Sequence, residues 1–244
     1  MTEKFPKKTG TLYGIGVGPG DPELITVKSA RILHQVDVIF AASSTKNDYS
    51  LAVSIARHHI REETPVIMLP FPMTKDREEA QTAWKSNAAA IIESLEQGKN
   101  AAFITLGDSM TYSTYGYVLK YIQAAAPHIR IETIPGITSY QAAAARLNTP
   151  LVEGEESLLV MSGVKGGNRL REFCGKPENV VFLKAYRNVK DISLALEETG
   201  LSENSVAITH CGLPEEEIIR DLSQLNDKPP GYWTLIIAKR NKEV

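Results

Sequence analysis

The 244 residues contain two cysteines, Cys174 and Cys211, so neither a disulfide framework nor a four-thiolate zinc site can be built from them. So low a density fits a reducing compartment, and two ordinary buried thiols are expected. An excess of one charge is also missing. Lys and Arg number 27 against 29 Asp and Glu, a net charge of −2, which supplies no broad positive field for a nucleic-acid backbone or an anionic membrane. The opening MTEKFPKKTG has no apolar stretch of signal-peptide length, and no later run of about 18 apolar residues could span a bilayer. The chain therefore reads as soluble and cytoplasmic, with no nucleic-acid or membrane partner. His34, His58, His59, His128 and His210 show no H-E-x-x-H or similar spacing, so no metal is expected. With 17 Gly, 13 Pro, 43% hydrophobic and 23% charged residues, low complexity and wholesale disorder are excluded.

What is present is alternation. Apolar runs bounded by turn formers start at Thr11, Asp37, Pro65, Asn100 and Ile129 and read as strands. Between them lie helical patterns: Leu24, Val27, Ala30, Ile32 and Leu33, then the long segment 76–97 closed by Gly98. Runs apolar at consecutive positions suit strands covered on both faces, so residues 1–150 read as an α/β domain with a mostly parallel sheet. Further strand-like runs at Ser157, Asn179, Ser205 and Tyr232, with helical spacing near 191–199 and 215–222, predict a second α/β domain over 151–244. The boundary falls in 148–156, where turn formers and charge concentrate. The acidic run Glu215 to Glu217 reads as a helix's first turn.

The first strand runs into Gly14-Ile15-Gly16-Val17-Gly18-Pro19-Gly20-Asp21-Pro22, where four positions without side chains let backbone approach a ligand closely. It is not the dinucleotide turn. Counting G-x-G-x-x-G from Gly14 puts Pro19 in the last slot, and counting from Gly16 puts Asp21 there. No P-loop motif occurs, and Asp21 would repel a phosphate. A ribose-binding carboxylate should stand at the end of the second strand, whereas Asp37 begins it and Ala41-Ala42-Ser43 close it, so NAD fits poorly. Asp21 is a helix N-cap candidate, with Pro22 suited to the first turn. Two further turns, at Leu106-Gly107-Asp108-Ser109 and Pro135-Gly136-Ile137-Thr138-Ser139, also follow strands. In a parallel sheet all three fall at the carboxyl edge, where open α/β folds bind ligands, and so describe one pocket.

The turn over 14–26, Gly107-Asp108 and Pro135 to Ser139 together make the chain resemble the tetrapyrrole methylase family, over nearly its whole length. The resemblance implies two α/β domains with a ligand cleft between them, a homodimer, S-adenosylmethionine as cosubstrate and a tetrapyrrole as substrate. Ala41-Ala42-Ser43-Ser44, and Tyr112 to Tyr117 after Gly107-Asp108, resemble the branch that methylates C20 of precorrin-2 or its cobalt complex in cobalamin biosynthesis. Methylation at another corrin position, or a non-catalytic module binding adenosylmethionine or a nucleotide, are the alternatives. Carried over residue by residue, the donor contacts would be Pro19, Leu106, Gly107, Asp108, Thr111, Thr138 and Ser139, with Met161, Tyr186 and Gly212 from the second domain. Two departures stand out. Ser109 replaces the usual Pro after Gly-Asp, and Ala42 stands where uroporphyrinogen-methylating members carry an acid.

Methyl transfer from a sulfonium needs alignment and a dry pocket rather than a protein nucleophile. No general base is identified beyond the candidate Asp21. The substrate's several carboxylates call for cations, and Lys46, Lys165, Arg169, Arg171, Lys184 and Arg187 are candidates. Tyr112, Tyr115 and Tyr117 are candidates for packing on the macrocycle face.

Overall fold

The computed structural model describes residues 9–44, 50–225 and 230–241, which fall into two units, Met1–Thr138 and Ser139–Val244. In the first, the apolar runs become β1 (Thr11–Gly16), β2 (Val38–Ser44), β3 (Val66–Phe71), β4 (Ala101–Thr105) and β5 (Arg130–Ile134). They form one sheet in the order β3-β2-β4-β1-β5, every pairing parallel. The connections carry α1 (Val27–Leu33), α2 (Leu51–Ala56), α3 (Arg77–Glu96) and α4 (Tyr115–Ala125). Leu12, Phe40 and Phe103 pack on one face with α3 and α4, and Ile15, Ile39 and Ile104 on the other with α1 and α2. That double coverage is why the strands are apolar at successive positions. Since α1 and α4 lie on opposite faces, the crossovers leaving the adjacent strands β1 and β4 diverge, which makes the carboxyl ends of this pair the topological switch point.

Local chemistry sets the helix ends. The Asp76 carboxylate accepts from the Glu78 and Glu79 N–H groups at 2.8 and 3.4 Å, and α3 stops before Gly98 at φ +87°. The first helical pattern is split. Pro22–Leu24 is a separate 3-10 turn capped by Asp21, and Thr26 caps α1 by accepting from Ser29 N–H at 3.2 Å. Val27 is consequently exposed.

The second unit holds α5 (Ser139–Leu147), β6 (Leu158–Ser162), α6 (Asn168–Arg171), β7 (Asn179–Leu183), α7 (Val189–Glu198), β8 (Asn204–Thr209), β9 (Glu217–Ile219) and β10 (Thr234–Lys239). Its sheet, β6-β7-β10-β8-β9, is mixed: β6 and β7 are parallel, and the remaining pairs antiparallel. One face packs on α7 through Ile192, Ala195 and Leu196; the other receives Ala143 of α5 among Val181, Ile208, Leu235 and Ile237. That packing groups α5 with the second unit, so the division falls after Thr138 where the sequence reading put 150.

Two expectations are corrected. The segment 215–222 is not a helix: Glu217–Ile219 is a strand whose Ile218 and Ile219 pair with Ile208 and Ala207, a β-branched pair suiting a sheet edge. Of the two cysteines only Cys211 is buried, while Cys174 is exposed.

Candidate functional site

At the carboxyl edge of the first sheet the three turns interlock through backbone. Gly18 N–H donates to Gly107 O at 3.1 Å, and Gly107 N–H returns the bond to Gly18 O at 2.7 Å. A Cβ on Gly16 would stand 2.5 Å from Gly107 O and 2.7 Å from Gly136 N; one on Gly136 would stand 2.2 Å from Gly107 O. These glycines are required by backbone meeting backbone. Gly107 differs, because its φ of +69° demands glycine while a Cβ there would meet nothing nearer than Ile137 O at 3.9 Å. The space beside it is open, which is what a position approached by a ligand needs.

Asp108 ties the second turn to the third. Its Oδ1 accepts from Met110 N–H and the Thr111 hydroxyl, both at 2.9 Å, and its Oδ2 from Gly136 N–H at 3.1 Å. Ser109, fully buried, donates its hydroxyl to Ile134 O at 3.2 Å, so a side-chain bond anchors the turn. Pro19 and Thr138 are buried, and Leu106 and Ser139 half-buried. Asp21 accepts from Glu23 N–H at 2.9 Å as the expected cap. The tyrosines separate. Tyr115 is wholly buried, its hydroxyl 3.1 Å from Thr133 Oγ1, and burial raises its pKa. Tyr117 stacks on Trp84 at 4.2 Å, and Tyr112 is exposed at φ +51°.

In the second unit Met161, Tyr186 and Gly212 all fall at one sheet edge, at or just past the ends of β6, β7 and β8. Met161 is itself buried in the core with Phe182. Tyr186 packs edge-on against Tyr232 at 5.0 Å, with the Arg187 guanidinium 5.1 Å from its ring centre. Gly212 has φ +77° and donates its N–H to Glu216 Oε2 at 2.9 Å, while Arg146 Nε donates to Glu216 Oε1 at 2.5 Å. Burial alone would raise the Glu216 pKa, but the Gly212 N–H and Arg146 more than offset it and hold it below the usual value. Neighbouring Cys211 is pushed up to about 11 by burial, with Glu216 adding to the effect, so the thiol stays protonated.

The candidate cations also separate. Arg171 is taken up by Asp191 at 2.9 Å and Glu198 at 2.5 Å, and Asp191 in turn accepts from Gly167 N–H at 2.7 Å, binding loop 163–171 to α7. Lys165, Arg169 and Arg187 are exposed, Lys184 is half-buried, and Lys46 lies outside the described residues. His34, His58 and His128 are exposed, and His210, at φ +51°, has its Nδ1 3.3 Å from Thr209 Oγ1. Among the described residues no group of three or more His, Cys, Asp or Glu is placed to hold a metal, and no helix is long and apolar enough to cross a membrane. Sequence reasoning missed the Arg146–Glu216 tie, because the acidic run disguised Glu216 as a helix start.

A doubly covered parallel sheet with interlocked, glycine-rich turns at its switch point defines an α/β protein whose candidate ligand site is that edge. Residues 11–226 match the model of the tetrapyrrole (corrin/porphyrin) methylases, and the chain belongs to that family. It is 36% identical over 235 residues to the cobalt-precorrin-2 C(20)-methyltransferase of Salmonella typhimurium, covering 96% of this chain and 98% of the relative. It is 31% identical to a protein of Methanocaldococcus jannaschii named "Probable cobalt-precorrin-2 C(20)-methyltransferase", covering 95% and 96%. Among solved structures, uroporphyrin-III C-methyltransferase of Thermus thermophilus complexed with S-adenosylhomocysteine shares the fold at a TM-score of 0.67 and 21% identity, over 94% of this chain and 92% of that one.

Proposed function

We propose that this chain is an S-adenosylmethionine-dependent C-methyltransferase that methylates C20 of precorrin-2, with the cobalt complex as the favoured form, in cobalamin biosynthesis. The interlocked glycine turns carry the reading. They present backbone and one already engaged carboxylate, and the turns themselves contain no Lys or Arg to hold a phosphate, at the edge where Gly107 leaves open space. A sulfonium donor suits such a neutral surface better than a dinucleotide does. Both relatives bear the C20 name over nearly their full length, and Ala42, a half-buried residue of β2, replaces the acid of uroporphyrinogen-methylating members.

In the reaction the donor's sulfur–methyl bond breaks as a carbon–carbon bond forms at C20, and the C20 proton then leaves. The first unit's proposed contribution is orientation by Pro19, Leu106, Gly107, Thr138 and Ser139, with Asp108 and Thr111 fixing the turn. Met161, Tyr186 and Gly212 are proposed as donor contacts on the resemblance. Asp21, whose Oδ1 accepts from Glu23 N–H, is the proposed acceptor of the C20 proton. A cytoplasmic homodimer is part of the same reading, open to test by light scattering.

Incubation of the protein with S-adenosylmethionine and precorrin-2, with and without cobalt, tests the proposal by product mass and by NMR with labelled methyl donor. One methyl group at C20 is expected, and a methyl at another carbon would replace the substrate assignment. Tight donor binding without methylated product would favour a non-catalytic binding module.

A further inference from the structure

Among the described residues, four other than glycine adopt positive φ: Tyr112, Asn148, Lys184 and His210. Asn148 follows α5, where Asn in the left-handed region ends helices routinely. Lys184 is harder to explain. It follows β7 directly, and beyond the pair Leu183 and Leu235 the next bond to β10 comes from Ala185, whose N–H reaches Thr234 O at 2.9 Å. Lys184 is thus an extra residue, a one-residue bulge at φ +58°, where glycine is the usual occupant. A lysine in that backbone region is strained, and a bulge beside a site re-aims a side chain.

The candidate cations sharpen the point. Arg171 is committed to Asp191 and Glu198, and Arg187 lies against the Tyr186 ring. Lys184 is half-buried, and no described residue supplies its ammonium with a carboxylate or a hydrogen bond. It stands two residues from Tyr186 at the edge that also carries Gly212. Resting on the functional reading above, we propose that Lys184 binds a carboxylate of the tetrapyrrole substrate, the bulge serving to present its ammonium. A carboxylate is the shared chemistry of the tetrapyrrole and the methyl donor. The proposal commits to the tetrapyrrole, since a polycarboxylate must be held by cations and the other candidates among the described residues are engaged or exposed.

Steady-state kinetics of Lys184→Gln, Lys184→Arg and Lys184→Gly, with calorimetry of S-adenosylhomocysteine binding, test it. Expected for Gln is a rise in the tetrapyrrole KM of about tenfold or more, with kcat little changed and S-adenosylhomocysteine affinity unchanged. Arg should retain most of the wild-type KM. Gly should show the same KM loss while raising Tm by about 2–4 °C, because left-handed strain is relieved. An unchanged tetrapyrrole KM in the Gln variant overturns the proposal. So does an equal loss of S-adenosylhomocysteine affinity, which would assign the carboxylate to the donor, or a lower Tm in the Gly variant, which would make the side chain structural. A wild-type protein that methylates a different carbon corrects the functional reading alone, and Lys184 is then judged on the KM of that tetrapyrrole.

Discussion

The two sheet edges are built by opposite means. In the first unit the turns after β1, β4 and β5 bring glycines into backbone contact, and the positive φ at Gly18 and Gly107 is carried by residues without a Cβ, with Tyr112 at φ +51° the exception further along the β4–α4 connection. In the second unit the corresponding edge carries side chains: Lys184 and His210 hold positive φ at a cost, Tyr186 packs on Tyr232, and Glu216 braces Gly212. The first edge offers backbone; the second offers charge and rings. In the proposed reading the first edge presents backbone to the donor, while the second adds the donor contacts Met161, Tyr186 and Gly212 and the proposed substrate cation Lys184.

The contrast can be broken by adding a methyl group. Gly136→Ala places a Cβ 2.2 Å from Gly107 O with only backbone to yield, so a loss of about 3 kcal/mol or more is expected, together with loss of donor binding. Urea denaturation measures it. A variant as stable as the parent would mean that the turns do not interlock as described. The sign is opposite to that expected for Lys184→Gly, where removing a side chain should stabilise.

Gly107→Val divides stability from binding. Open space leaves φ +69° as the main penalty, about 1–3 kcal/mol for a β-branched residue, so the fold should survive while donor binding falls below detection in calorimetry. Normal donor affinity in this variant would remove Gly107 from the site. Asp108→Asn is milder. An amide cannot accept from Gly136 N–H and from Met110 and Thr111 with both of its atoms, so a loss of about 1–3 kcal/mol and a weakened donor affinity are expected. Equal donor affinity with lowered stability would show that the tie between the turns does not shape the pocket.

The first edge was legible in the sequence because its chemistry is local. A glycine forced by backbone contact, as at Gly16 and Gly136, or by positive φ, as at Gly107, has no ready substitute, so these positions stand out from one chain alone, and Asp21 and Gly98 follow from short-range capping rules. The second edge was less legible because its chemistry is non-local. Lys184 is exceptional only once Ala185 is seen to take the bond to Thr234, and Arg171 is disqualified as a substrate cation only once Asp191 and Glu198 are seen beside it. The same reasoning explains the misread segment 215–222. Three successive glutamates suit a helix start locally, but pairing of Ile218 with Ile208 and the pull of Gly212 and Arg146 on Glu216 override that preference.

Glu216 supplies the smallest and most specific test of how the second edge is held. Its pKa in the folded protein lies below its ordinary 4.5, because the Gly212 N–H and the Arg146 guanidinium stabilise the carboxylate against the opposing effect of burial. A depressed pKa means that the unfolded chain takes up the proton first. The stabilisation is therefore complete above about pH 4.5 and disappears as pH falls through the folded value. Glu216→Gln should cost about 1 kcal/mol at pH 7 and much less at pH 3, with urea midpoints of the two proteins converging as acid is added. A constant difference between them at both pH values would show that the side chain contributes by shape alone, and that charge plays no part in bracing the Gly212 turn.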